Sequence, residues 1–220
     1  MRFEKKNIGQ YVEKILRRKI MLLELREGEH LKETILAEEM SISRGPIREA
    51  IKKLEYEGLV KTLGNGRTVV SKFDFAYTEN LYKVRILLET YAVKNLNPSL
   101  LEEQGEFLYT YLNLMKQNLD DNEMYREADL SFHLHIIKMS GNQTLIQSWL
   151  SLKDLIITLI EVTTEATKDR NLDIVLEHKK IVEAIMEKDF EKASQMLEKH
   201  LTSAANYYSN AVFKLQNEEE

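Results

Sequence analysis

Apolar residues recur along the chain at helical spacing, and the interruptions in that pattern divide it into elements. Ile8, Tyr11, Val12, Ile15, Leu16, Met21 and Leu22 describe an amphipathic first helix over 7–25. Residues 34–40 form a short second helix, and only Ser41 and Ile42 separate it from a third. In that third helix, predicted over 44–57, Ile47, Ala50, Ile51 and Leu54 line an inward face, while Arg44, Arg48 and Lys52 repeat every four residues on another. Ser43 suits its N-cap, Pro46 is tolerated in its first turn and Gly58 is a natural stop. Two runs rich in β-branched residues, 59–63 and 67–71, follow as strands joined through Gly64-Asn65-Gly66. A tight helix-turn-helix backed by a hairpin is a winged arrangement that can read DNA.

Beyond Lys72-Phe73-Asp74 the periodicity is helical to the end, beginning with Leu81, Val84, Leu88, Tyr91 and Ala92 on one face. Breaks at Asn97-Pro98, Asp120 to Asn122, Gly141-Asn142, 168–171 and Lys188-Asp189 predict six helices: 75–96, 98–119, 122–140, 142–165, 170–188 and 190–215. The fold class is therefore mainly α. A winged helix-turn-helix occupies 1–73 and an all-α six-helix bundle occupies 74–220.

Charge sharpens this division. The net charge of −5 is unpromising for a DNA binder, yet residues 1–73 carry 16 Lys and Arg against 11 Asp and Glu, a net +5, leaving −10 on the remainder. Arg17, Arg18 and Lys19 add to this basic head, with solvent exposure or the DNA backbone as their expected surroundings. The absence of cysteine excludes disulfides and thiolate metal sites. With no signal-like or membrane-spanning apolar run, the chain is expected to work in the cytoplasm, away from membranes.

The residues 8 to 72 resemble the winged-helix domain of the GntR family of bacterial transcription regulators. The likeness rests on Leu31, Glu33, Leu36-Ala37, the run Ser43 to Ile51, and Leu54 to Val60. It implies DNA contacts from Thr34, Ser43, Arg44, Gly45, Arg48, Gly66 and Arg67. Ser41 stands where the family usually has Gly, with little expected effect on the turn, and Thr34 where several members carry a DNA-contacting Arg.

Candidate chemistry in the body lies with Asp129, His133, His178 and His200. Asp129 and His133 are i, i+4 neighbours, and His178 and His200 each lie eleven residues from the turn at Asp189, which puts them level on antiparallel helices. Three imidazoles and a carboxylate suit a divalent ion such as Zn²⁺ or Ni²⁺, and there is no soft ligand for Cu(I). Spacing alone equally allows ordinary surface or core histidines. The stretches Asp129 to His133, Ser140-Gly141-Asn142, Glu177 to Ile185 and His200-Leu201 resemble the FCD ligand-binding domain of the FadR subfamily of GntR regulators, and the count of six helices resembles its shorter, VanR-like variant. That resemblance implies a divalent metal on those four residues and an effector, often a small carboxylate, in the same cavity. Arg85 and Asn142 are carried over to the effector, although Arg85 can equally pair with Glu89 inside the helix. His135 points away from His133 around its helix and is left out.

The function these features imply is a homodimeric transcription regulator, read as a repressor, that binds a double-stranded, near-palindromic operator under control of a carboxylate effector at a metal site. A metal sensor or a purely structural metal are the alternatives. A metalloenzyme is a third, but no general base lies beside the proposed ligands.

Overall fold

The computed structural model describes residues 5–163 and 171–217, so residues 168–170 of the predicted break and the acidic tail lie outside the described residues. The head contains α1 (Lys5–Met21), α2 (Glu33–Glu39), α3 (Arg44–Tyr56), β1 (Val60–Thr62) and β2 (Thr68–Val70). The strands are antiparallel, with Val60 opposite Val70 and Thr62 opposite Thr68. Val12, Leu16, Ile20, Ile47, Ala50 and Leu54 close the core beneath them.

The segment 28–31 pairs along the outer side of β2: Gly28 N–H donates to Val70 O, Val70 N–H to Glu29 O and Leu31 N–H to Thr68 O. Three local expectations need correction. The first helix stops at Met21 rather than Leu25, because Leu23 takes a positive φ of 59°. Ser41 also has a positive φ, 53°, so the turn asks for the glycine that is missing there. Arg17 is neither solvated nor facing DNA. It is 3% exposed and makes a bidentate pair with Glu57 at 2.9 and 2.8 Å, fastening α1 to the end of α3.

The body contains α4 (Phe75–Lys94), α5 (Pro98–Gln104), α6 (Phe107–Gln117), α7 (Asn122–Met139), α8 (Gln143–Thr163), α9 (Asn171–Met186) and α10 (Phe190–Asn217). Most breaks fall where sequence placed them because the boundary side chains cap. Asp74, Asn97, Asp121, Asn142 and Asp189 each accept a hydrogen bond from a backbone N–H in the first turn that follows.

Among the described residues this gives seven body helices, not six, since the expected 98–119 helix is broken at Gly105-Glu106. There the bonding shifts to i→i−3, from Leu108 N–H to Gly105 O and Tyr109 N–H to Glu106 O. A side chain at Gly105 would meet Leu101 O at 2.6 Å and the Met186 sulfur at 3.2 Å, so only glycine permits this corner against the end of α9. The count that suggested the shorter variant was one too low.

The α4 face was also misjudged. Leu81 and Ala92 are buried, but Val84 and Tyr91 are exposed, and the inward stripe instead runs through Thr78, Tyr82, Arg85, Glu89 and Val93. A charged pair occupies the centre of that stripe, which hydropathy assigns to the outside.

Head and body are joined by more than the four residues between β2 and α4. Tyr77 on α4 donates its hydroxyl to Glu57 O at 2.8 Å. α1 also packs against α8, where Lys14 Nζ lies 2.9 Å from Glu161 Oε1. No described helix is long and apolar enough to cross a membrane.

Candidate DNA face, metal centre and effector cavity

On the head, the exposed edge of α3 carries Arg44 and Arg48 as its spacing demands. The two lie with Thr34 and Gly66 around one shallow depression that also includes Glu33. Glu33 accepts from Arg48 Nε at 3.0 Å, from Arg48 Nη2 at 2.9 Å and from Arg44 Nη2 at 3.1 Å. Ser43 occupies the N-cap position, but its side chain makes no capping bond. A Cβ at Gly45 would meet nothing within 4 Å, leaving room for another surface to approach. At the wing tip Gly66 has φ +78°, and Arg67 N–H donates to Asn65 Oδ1 at 3.1 Å, which holds the tip in shape. The structure thus gathers Thr34, Arg44, Arg48 and Gly66 on one face. Ser43 and Gly45 lie at the start of α3, and Arg67 follows Gly66.

In the body, α7, α9 and α10 bring His133, His178 and His200 together from distant parts of the sequence. Their ring centroids lie 4.4 to 5.5 Å apart, and one nitrogen from each falls within 4.8 Å of the others. Asp129 joins them, with Oδ1 3.4 Å from His178 Nε2 and 3.9 Å from His133 Nε2.

The partners of the three Nδ1 atoms decide what this cluster can do. His133 Nδ1 lies 2.6 Å from Glu89 Oε2, His178 Nδ1 2.9 Å from Ile174 O, and His200 Nδ1 2.7 Å from Glu177 Oε2. A backbone carbonyl and two carboxylates accept hydrogen bonds, so each Nδ1 carries a proton, and in a neutral ring Nε2 then keeps the lone pair. Burial, reinforced by His200 and His133, holds His178 well below the ordinary imidazole value. Burial also lowers His133, outweighing the opposite pull of Glu89. Both rings are therefore neutral near pH 7, yet their Nε2 atoms stand only 3.1 Å apart.

Two facing lone pairs beside a carboxylate oxygen repel unless a cation lies between them. Nitrogen ligands about 2.1 Å from one ion stand about 3.0 to 3.4 Å apart for octahedral or tetrahedral coordination. The donor set and its outer partners fit a divalent metal, with Glu89, Ile174 O and Glu177 orienting the rings.

Arg85 lies beside this cluster, 2% exposed. The pair with Glu89 that the sequence allowed is present, Nε to Oε1 at 2.7 Å, and Nη1 reaches Tyr82 Oη at 3.4 Å. Nη2 has no hydrogen-bond partner. Pairing inside the helix therefore leaves part of the guanidinium free for an anion. Burial opposes charge on Glu89, but His133 and Arg85 outweigh it and hold the carboxyl well below its ordinary range. Glu89 also accepts from Trp149 Nε1 at 2.9 Å, so this one buried side chain serves three donors.

Arg85, Asp129, His133 and His200 line a common cavity with Tyr82, Tyr208 and Arg126. Asn142 does not belong there. It is an exposed N-cap whose Oδ1 accepts from Leu145 N–H at 3.1 Å, and the cavity lining lies elsewhere. Its motif position was legible, but the structural demand for a cap explains it. Sequence reasoning missed Glu89 as a partner of His133, Glu177 as a partner of His200, and Arg126. Glu177 adjoins His178 in the motif and Glu89 lies four residues from Arg85, which was the available signal; nothing singled out Arg126.

Comparison with known proteins agrees with this architecture. Residues 9–70 match the family described as bacterial regulatory proteins, gntR family, and residues 80–203 match the FCD domain. The transcriptional repressor NanR of Salmonella newport is 28% identical over 225 residues, covering 91% of this chain and 85% of NanR. The structure of Lar, which controls expression of the Listeria monocytogenes agr system, superposes with a TM-score of 0.68 at 21% identity, covering 96% of this chain and 99% of that one. The metal-free FCD domain of TM0439 gives a TM-score of 0.55 at 20% identity, covering 66% of this chain and 99% of that domain. Matched over both head and body, and with relatives that are transcription regulators rather than enzymes, the chain belongs to the GntR family of DNA-binding transcription regulators and carries an FCD domain.

Proposed function

We propose that this protein is a homodimeric repressor whose hold on a near-palindromic operator is controlled by a carboxylate effector bound beside a divalent metal, Zn²⁺ or Ni²⁺. Asp129, His133, His178 and His200 are the metal ligands. Arg85 receives the effector carboxylate through its free Nη2. The head, 1–73, reads DNA with Thr34, Ser43, Arg44, Gly45, Arg48, Gly66 and Arg67, and 74–220 form the effector and dimerisation body. The role of repressor is supported by the likeness to NanR, and a cytoplasmic location follows from the task. When bound, the metal supplies a positive centre with positions open to an anion.

The observation that carries this reading is the close gathering of His133, His178 and His200, with the Nε2 atoms of His133 and His178 facing each other, beside the cavity lined by Asp129, His133, His200 and Arg85, where Arg85 has an unused donor. Dimerisation is supported by Val84, Leu87 and Tyr91, an exposed apolar stripe at helical spacing along α4. Coupling to the head has a physical route. Glu161 Oε1 lies 3.2 Å from Arg126 Nη2, which lines the cavity, and 2.9 Å from Lys14 Nζ on α1 of the head. An anion that draws on Arg126 alters the charge balance at this joint, and it biases the head only by its differential affinity for the two arrangements.

Metal analysis of the purified protein and of a His178→Ala, His200→Ala variant tests the site. Near-stoichiometric metal in the parent and its loss in the variant are expected; full retention in the variant refutes the ligand set. Metal loss with an unchanged response to carboxylates assigns the metal a structural role instead.

A further inference from the structure

The recognition face carries one carboxylate where a phosphate-binding surface ordinarily has none. Glu33 is the first residue of α2, yet it lies among Arg44, Arg48, Thr34 and Gly66 and bonds to both arginines. Arg48 and then Arg44 hold its carboxyl below the usual range despite slight desolvation, so it remains ionised and repels phosphate. Exposed ion pairs add little to stability, and the placement calls for another account.

We infer that Glu33 is a specificity-determining positioning residue: it fixes the direction in which Arg48 and Arg44 present their remaining donors to a base edge and lowers their attraction to phosphates at random. This rests on the reading of both arginines as DNA contacts. Arg48 uses its Nε–Nη2 side on Glu33, which leaves the terminal Nη1–Nη2 edge for a second bidentate acceptor such as guanine O6 and N7. Arg44 lies one turn earlier on the same face, where two like charges would push each other aside. Glu33 sits between them and offsets that repulsion. Two arginines and one glutamate also contribute a net charge of only +1, so less of the binding comes from sequence-independent neutralisation of phosphate.

The test uses the full-length protein, a duplex enriched from a random pool by the parent, and an unrelated duplex of the same length. Glu33→Gln is expected to bind the unrelated duplex more tightly, with a salt-dependence slope steeper by about 0.9 for one more phosphate contact. Its preference for the enriched duplex should fall about 5- to 100-fold. Glu33→Asp keeps the charge but is too short to span both guanidiniums, so it should lose preference without the gain on unrelated DNA. Arg44→Ala and Arg48→Ala separate the two levels of the account. If both bind both duplexes like the parent, the DNA-reading assignment is overturned. If they lose preference while Glu33→Gln keeps it, only the positioning role is overturned. An equal fall on both duplexes with a lowered melting temperature would make Glu33 a helix-start residue and likewise overturn the inference.

Discussion

Replacing Glu89 with Gln tests the buried network at its centre. Glu89 Oε1 accepts from Arg85 Nε and Trp149 Nε1, and Oε2 accepts from His133 Nδ1. Gln keeps the shape but turns one acceptor into a donor. If its carbonyl stays with Arg85 and Trp149, its NH₂ group faces His133 Nδ1–H, and the ring relieves the conflict by moving its proton to Nε2. That nitrogen then cannot bind a metal. If the amide is reversed, Arg85 and Trp149 lose their acceptor instead. Either way Arg85, 2% exposed, keeps its charge without a carboxylate partner. Breaking a buried pair from one side costs about 3–5 kcal/mol, and loss of an outer-shell partner costs about 10- to 100-fold in metal affinity. The total stability of a domain is about 5–15 kcal/mol, so the variant should still fold. Urea unfolding of the metal-free protein and competition with a chromophoric chelator measure the two effects. Trp149 is the chain's one tryptophan, so its fluorescence reports on the network directly. A variant that unfolds at the parent's midpoint and binds metal within twofold of it would refute the reasoning.

The metal-free protein should lose stability as pH falls below about 6.5 and change little above it. Folded His178 and His133 titrate below the ordinary imidazole value, so the unfolded chain takes up protons first and gains from acid. Glu89, depressed in the fold, adds a second loss below about pH 4.3; calorimetric melting across about pH 2–8 checks both, a flat profile through pH 6.5 contradicting the histidine effect and a flat profile below pH 4.3 the Glu89 effect. Ser41→Gly should stabilise the head by about 1 kcal/mol, measured by urea unfolding, because the residue has φ 53°. If the exposed α4 stripe is the proposed dimer seam, Val84→Glu with Leu87→Glu should lower the sedimenting mass from that of two chains to one while leaving the proposed metal site unaffected, since both side chains are exposed on α4.

Most of the fold could be read from the sequence because local chemistry agrees with it. Ile47, Ala50, Ile51 and Leu54 do face inward, and the body breaks coincide with Asn and Asp caps. The misses share a cause: at those positions long-range packing outweighs local preference. Gly105 ends α5 as its C-cap, where a Cβ would meet the preceding turn at Leu101 O and Met186 at the end of α9; the glycine was the available signal, but no proline or capping side chain accompanied it. Arg17 counts as a surface charge until Glu57, forty residues away, is seen to bury it. The α4 face was misplaced at Val84 and Tyr91, which are exposed, because the buried stripe centres on the Arg85–Glu89 pair that the sequence allowed rather than on the apolar residues beside it. In the candidate site the histidines were visible as residues, but the acceptors that fix their tautomers lie on other elements or in the backbone. Asn142 failed in the opposite sense, since its cap role satisfies the motif without a ligand.

The central claim is that metal and carboxylate act together to control the head. Its most direct measurement is a titration of an enriched operator duplex with carboxylates selected by thermal shift, before chelation, after chelation and after metal is restored. The account predicts an effector-dependent change in operator affinity of about five- to 150-fold, the typical range for coupled sites, that disappears on chelation and returns with the metal. The same response from metal-free protein would contradict it.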